Sequence, residues 1–266
     1  SVLFCCTLKA QTTKTIDVTQ PGTLSAMLGE TLKSVKDLSI TGKINSADID
    51  ALMQAGALEV LNLLDATIVD AEGKETTVFP GYTLRKHPSL TTLTFPKTVT
   101  SIGAGAFFKC LKLKKVVLPE AIKKLSESVF MSCSALSEIN FPNGLESIGR
   151  SALYMTAITD FIAPKSLRTL GDNALYGTQI TKAVLNDKLD KIGQASFAAC
   201  KQLEKIEIEN NPNFKLVDGV LYSADETILV AYPLADKRPL YKTLSTVTTI
   251  CQGIFEGAVN LKDIYI

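Results

Sequence analysis

Apolar and polar residues along most of this chain follow one recurring phrase. In LTTLTFPKTVTSIGAGAFFKC (90–110), apolar residues at alternate positions run into a proline, then an Ile-Gly pair, then a small residue and a phenylalanine. LKKVVLPEAIKKLSESVFMSC (113–133) does the same 23 residues later. Aligned on this phrase, the strand openers are Leu90, Leu113, Leu136, Ile158, Ile180, Leu203 and Leu261, at steps of 23, 23, 22, 22, 23 and 58. Three further columns run in phase. The turn prolines are Pro96, Pro119, Pro142 and Pro164, with Asn186 in the next place. The glycine pairs are Ile102-Gly103, Ile148-Gly149, Leu170-Gly171 and Ile192-Gly193. The small-then-large pairs are Ala106-Phe107, Val129-Phe130, Ala152-Leu153, Ala174-Leu175, Ser196-Phe197 and Ile254-Phe255. Alternation at period two predicts a short strand with one buried face. Proline, lacking an N–H, ends it, and glycine is expected to supply the dihedrals of a tight turn. No single unit covers its own apolar face, whereas stacked units bury one continuous core. The pattern predicts a right-handed solenoid with a parallel sheet on one side.

The step of 58 resolves if a repeat starts at Arg238, 23 residues before Leu261, which leaves 203–237 as one enlarged repeat of 35 residues. Its middle, FKLVDGVLYSADETILVAYP (214–233), reads as two apolar strands about an Ala224-Asp225-Glu226 turn, a β-hairpin insert. A hairpin so apolar is marginal alone in water. One face is therefore expected to pack on the solenoid, while the other face and the tip project with Tyr222 and Tyr232 as contact residues. Upstream, VKDLSI from Val35 and LEVLNL from Leu58 share an L-x-x-L-x-L pattern 23 residues apart. SADIDALMQAG between them predicts a helix with Ser46 as N-cap and Gly56 near its C-cap. The step from Leu58 to Leu90 is 32, so AEGKETTVF is expected to loop out. The organisation that follows is a signal-peptide remnant or edge segment over 1–15, an N-terminal cap with atypical repeats over 16–89, and regular repeats over 90–266.

The columns L-x-x-I-x-F-P-x-x-V-x-x-I-G-x-x-A-F-x-x-C resemble the leucine-rich repeats of the BspA-like class, closely over 90–266 and more loosely over 35–70. The segment from Asn211 to Pro233 also resembles that class's hairpin insert. The resemblance implies an α/β leucine-rich-repeat solenoid with a parallel sheet on its concave face, 22–23-residue repeats and one hairpin insert. It further implies a secreted or surface-attached protein of Bacteroides-type bacteria, engaged in adhesion or ligand binding, and supplies no catalytic residues. Ser126 and Cys251 in the glycine column, and Asn186 in the proline column, depart from the pattern and put the local turn geometry in question.

Composition narrows the chemistry. Lys plus Arg is 28 against 27 for Asp plus Glu, a net charge of +1 that gathers neither nucleic acid nor an anionic membrane. No apolar run approaches the roughly 20 residues of a membrane helix. SVLFCCTLKAQTTK at the start resembles the tail of a secretory signal with cleavage near Ala10 or Gln11, or else an edge strand or cap. Lipid anchoring at Cys5 or Cys6 is the weaker reading, since Phe4 is not the small residue such processing prefers. With His87 the only histidine, triads and sites built on several imidazoles are excluded, and its place before Pro88 in a loop-like stretch predicts a surface residue. No G-x-S-x-G or phosphate-loop motif occurs, and Gly103-Ala104-Gly105 is the repeat's own turn. A hydrolase is thus a remote reading, and no cofactor or metal is expected. Cys110, Cys133 and Cys200 share a column in which Thr156 and Thr178 substitute, so the position calls for a small, half-polar buried side chain and predicts free thiols.

The outward strand positions carry the functional expectation. Before each second buried position lie Thr92, Lys115, Glu138, Asp160, Lys182 and Lys205, and one position after it lie Thr94, Val117, Asn140, Ile162, Val184 and Glu207. Stacking at about 4.8 Å places an acidic pair between lysines, beside an apolar strip of Val117, Ile162 and Val184. Such a face suits a docked protein or glycan, host matrix included. It equally suits a neutralised ladder in which each pair is worth under about 1 kcal/mol, since aromatic anchors are missing. The function predicted is an extracytoplasmic, non-enzymatic interaction module. A spacer displaying another domain competes with it, because the sequence stops inside a strand at KDIYI, as a fragment would.

Overall fold

The computed structural model describes residues 13–266; residues 1–12 of the signal-like run, with Cys5 and Cys6, lie outside the described residues, and its last two, Thr13 and Lys14, open the first strand. The chain is a β-solenoid of short parallel strands in two columns. In the first column Thr13–Val18, Asp37–Ile44, Val60–Asn62, Thr92–Thr94, Lys115–Val117 and Glu138–Ile139 form one sheet, and Asp160–Ile162, Lys182–Leu185 and Lys205–Ile208 form another. In the second column Val78–Phe79, Ser101–Ile102, Lys124–Leu125, Ser147–Ile148, Thr169–Leu170 and Lys191–Ile192 form an unbroken sheet. The register follows the sequence columns: Thr92 pairs with Lys115, Lys115 with Glu138, Asp160 with Lys182 and Lys182 with Lys205. Alternate residues such as Leu93, Val116, Phe161 and Ala183 face a shared core, where Phe79, Phe107 and Phe130 stack at 5.6 Å between ring centres. The return side consists of turns rather than helices, with left-handed backbone at Gly105, Ser128, Ser151, Asn173, Ala195 and Gly253.

The glycine column has a different cause from the one expected. Gly103, Gly149, Gly171 and Gly193 are not left-handed; a Cβ there would lie 2.4, 2.9, 2.5 and 2.3 Å from backbone nitrogen of the preceding coil. Close approach between coils selects them. In the cysteine column, Sγ of Cys110, Cys133 and Cys200 donates to the carbonyls of Leu84, Phe107 and Leu175, each at 3.1 Å. Thr156 and Thr178 bond the Leu153 and Leu175 carbonyls at 2.9 Å. The position must supply one donor to a buried carbonyl, which thiol and hydroxyl both do. The three thiols are free and buried, as the column predicts, and burial pushes those of Cys133 and Cys200 up in pKa.

His87 belongs to this same column, 23 residues before Cys110. It is not a surface residue: it is 2% exposed, its Nε2 lies 3.2 Å from the Leu52 carbonyl, and its Nδ1 accepts from Leu90 N at 3.2 Å. The coil that carries it opens at Val78–Phe79, which pairs with Ser101–Ile102, so the looped-out stretch is confined to the turn before it. The helix Ser46–Ala51 is capped one residue earlier than predicted. Asn45 Oδ1 accepts from Ala47 N and Asp48 N, and Asp48 accepts from Asn45 N, a reciprocal cap.

The insert has three antiparallel strands, Phe214–Val217, Val220–Ser223 and Ile228–Ala231, because Asp218-Gly219 forms a second tight turn. Leu221, Val230 and Ala231 join the main core. The opposite side does not project. Ile228–Ala231 pairs with Thr249–Ile250, and Val220, Tyr222, Leu229 and Tyr232 enter a second core with Leu234, Tyr241, Cys251 and Ile254. Tyr222 and Tyr232 are each 1% exposed, so neither is a contact residue. The coil after the insert covers them.

Candidate functional site

The first column is interrupted twice among the described residues. One interruption holds the insert. The other falls between Glu138–Ile139 and Asp160–Ile162 with no insertion at all, while the second column runs unbroken past it through Ser147 and Thr169. Two local features coincide with it. The repeat shortens here from 23 to 22 residues: the Cys133-to-Leu136 turn, closed by Leu136 N to Cys133 O at 2.9 Å, gives way to a shorter Thr156-to-Ile158 entry. In that shorter entry Ala157 N bonds Leu136 O instead, at 2.9 Å. Asn140 also stands in the column of Thr94, Val117, Ile162, Val184 and Glu207; Asn62 shares that column, but its side chain accepts from Leu64 N of its own coil. The Asn140 carboxamide accepts from Leu118 N at 2.7 Å and donates to Leu118 O at 2.9 Å. The side-chain oxygen thus takes the N–H that a main-chain carbonyl takes in other coils, where Phe95 N bonds Val117 O and Ala163 N bonds Val184 O. The strand stops after Ile139.

The core opens accordingly. The residues equivalent to Ile139 in neighbouring coils, Val116 and Phe161, are buried, and so are Leu118 and Ala163, the equivalents of Phe141. Ile139 and Phe141 themselves are only partly buried, at the edge of that core. A trough of about 580 Å³ lies over the interruption, lined by Lys115, Val117, Glu138, Ile139, Asn140 and Asp160 among others. It continues into a 280 Å³ depression at Phe141, Ile162 and Pro164, and into a 340 Å³ one at Leu64, Phe95, Val117 and Leu118.

The expected site residues therefore divide. Lys115, Val117, Glu138, Asn140 and Asp160 share the trough, and Ile162 borders its extension. Lys182 and Val184 lie on the next coil and line neither. Charge pairing is uneven: Lys115 meets Glu138 at 3.2 Å, but Lys182 turns to Glu207 at 2.9 Å, where Lys205 also binds at 2.7 Å. Hydrogen bonds from these two lysines hold the Glu207 carboxyl below its ordinary pKa. Asp160 is left with a bond from Thr159 Oγ1 at 3.1 Å and, among the described residues, no cation within ion-pair distance. Sequence reasoning missed Ile139 and Phe141, because their apolar pattern is that of ordinary core positions. Among the described residues no group of three or more His, Cys, Asp or Glu could hold a metal, and no helix is long and apolar enough to cross a membrane.

Comparison with known proteins agrees with this architecture. None of the curated proteins matches the chain. Among solved structures, a leucine-rich repeat protein from Eubacterium ventriosum is 25% identical with a TM-score of 0.66, over 71% of this chain and 53% of that one. A leucine-rich cell surface protein from Faecalibacterium prausnitzii is 22% identical with a TM-score of 0.56, over 73% of this chain and 65% of that one, and shares the fold. The chain thus spans less than two thirds of either relative's length. The model of the BspA-type leucine-rich repeat region matches in six copies over residues 74–179 and 147–218, more than half of the sequence, and the chain belongs to that family.

Proposed function

We propose that this chain is a non-catalytic, extracytoplasmic protein-interaction module that engages its partner at the interrupted first column. The observation that carries this reading is the trough itself: partly buried Ile139 and Phe141, exposed Ile162 at 67%, and an Asp160 carboxylate with no ion-pair partner among the described residues fall on one face of the stack. Exposed apolar surface rimmed by polar residues marks interaction sites, and family membership supports an interaction role in general. Adhesion to a host surface is the setting this reading favours. The test is a binding screen of the immobilised protein against matrix proteins and a glycan array, repeated with Glu138→Lys plus Asp160→Lys. Both positions are exposed, so the double variant should melt within about 2 °C of the parent. Reproducible protein binding lost in the variant supports the module. Silence throughout returns the chain to a spacer role.

A further inference from the structure

We infer that the trough takes an arginine side chain from an extended segment of the partner; this rests on the interaction reading above. The argument starts from acceptors. In the paired coils, Lys115 N bonds Thr91 O at 3.0 Å and Lys205 N bonds Thr181 O at 3.3 Å, each coil satisfying the carbonyls of the one before it. No ladder joins Ser137–Asn140 to Thr159–Ile162, so the carbonyls of Ser137 and Ile139 face the cleft without the bonds their equivalents receive. Beside them stands the Asp160 carboxylate with no cation. The site is thus rich in acceptors, with its own lysine, Lys115, engaged by Glu138.

A ligand group for this site must bring several donors in one plane and tolerate apolar walls at Val117, Ile139 and Ile158. Guanidinium has five N–H donors in a rigid fork and an aliphatic stem that packs on apolar surface. An ammonium group is a single, strongly hydrated point charge. A hydroxyl-rich ligand would leave the partly buried Ile139 and Phe141 uncovered. The geometry also sets the form of the segment. The coils remain tied on either side of the gap, by Ala157 N to Leu136 O at 2.9 Å and Ser166 N to Asn143 O at 3.2 Å. A whole strand therefore cannot insert between them, and the segment must cross the face. The three depressions run over five coils, from Leu64 to Ile162. At about 4.8 Å per coil that is roughly 19 Å, or about six extended residues. Apolar residues flanking the arginine would cover Leu64 and Val117 on one side and Phe141 and Ile162 on the other.

The experiment is fluorescence anisotropy with a library of capped hexapeptides, each holding one central Arg, Lys or citrulline among apolar residues. Arginine peptides should enrich, and replacing Arg by citrulline in the best of them should weaken binding at least tenfold. Asp160→Asn, an exposed and near-isosteric change, should cost about the same with unchanged melting. Enrichment of peptides without arginine, or equal binding by Asp160→Asn, overturns the inference. If no hexapeptide binds while folded-domain display yields binders that Glu138→Lys plus Asp160→Lys abolishes, the arginine fails and the interaction surface stands. If both libraries are silent, both fall.

Discussion

Asn140→Val should close the interruption, raise stability and remove the trough. Valine is what the column carries at 117 and 184, and β-branched residues fit a half-buried strand. The substitution removes two side-chain bonds to Leu118, worth about 1 kcal/mol each. It frees Leu118 N–H for a main-chain carbonyl, as Phe95 N bonds Val117 O. It also lets the Glu138 coil pair with the Asp160 coil through about four backbone bonds of similar net worth. The balance is a gain of about 2 kcal/mol, before any further burial of Ile139 and Phe141. For a chain of this size that raises the melting temperature by about 4–8 °C. Thermal unfolding by circular dichroism measures the shift, and amide exchange at Asp160 and Ile162 reports whether the new ladder forms. Binding at the trough should be lost at the same time, an instance of stability gained where function is given up. The opposite result, lower stability with those amides still exchanging, would mean that Asn140 only satisfies Leu118 and that another feature of the Leu136-to-Ile158 coil breaks the ladder. That outcome refutes the reasoning.

Other substitutions probe the columns. Leu221→Asp and Leu229→Asp each bury a carboxylate at a position 0% exposed and should lower stability by about 3 kcal/mol or more, read as a drop in urea midpoint. Cys133→Thr should cost less than Cys133→Ala in the same assay: the Thr hydroxyl can bond the carbonyl three residues back, as Thr156 and Thr178 do, whereas Ala supplies no donor and loses the Sγ bond to Phe107 O, worth about 1 kcal/mol, leaving that carbonyl its bond from Cys110 N. Burial pushes the His87 imidazole down from its ordinary pKa, against a smaller raising effect of its bond to Leu52. The unfolded chain therefore binds the proton more readily below about pH 6.5, and stability should fall as pH drops through that value. His87→Cys should remove this His87-dependent part of the slope between pH 7.5 and 5.5, and the difference between the two urea midpoints at each pH measures it.

How much was legible in the sequence depends on whether a feature belongs to a column or to a pair of coils. Strand openers, ring positions and thiols repeat at fixed spacing because each coil solves the same packing problem, so Leu90, Phe107 and Cys110 could be placed without coordinates. His87 is less plain, because its neighbour Pro88 suggests a loop while its distance of 23 to Cys110 marks it as the column's donor. Tyr222 and Tyr232 were misplaced because an insert has no column, and what covers it comes from a coil that follows later in the chain. The interruption lies between these cases. Whether two coils pair depends on how both present their main chain, which alternation in either one does not state. A signal was present nonetheless: Asn140 stands in a column that between Asn62 and Glu207 otherwise carries Thr, Val and Ile, at the first of two successive 22-residue repeats. In a repeat protein the consensus describes what every coil needs to stack, so a departure at an exposed strand position that costs pairing and opens the core at Ile139 has no stacking purpose. Such a defect is where a binding role should be sought, and for this chain it singles out Asn140 rather than its charged neighbours.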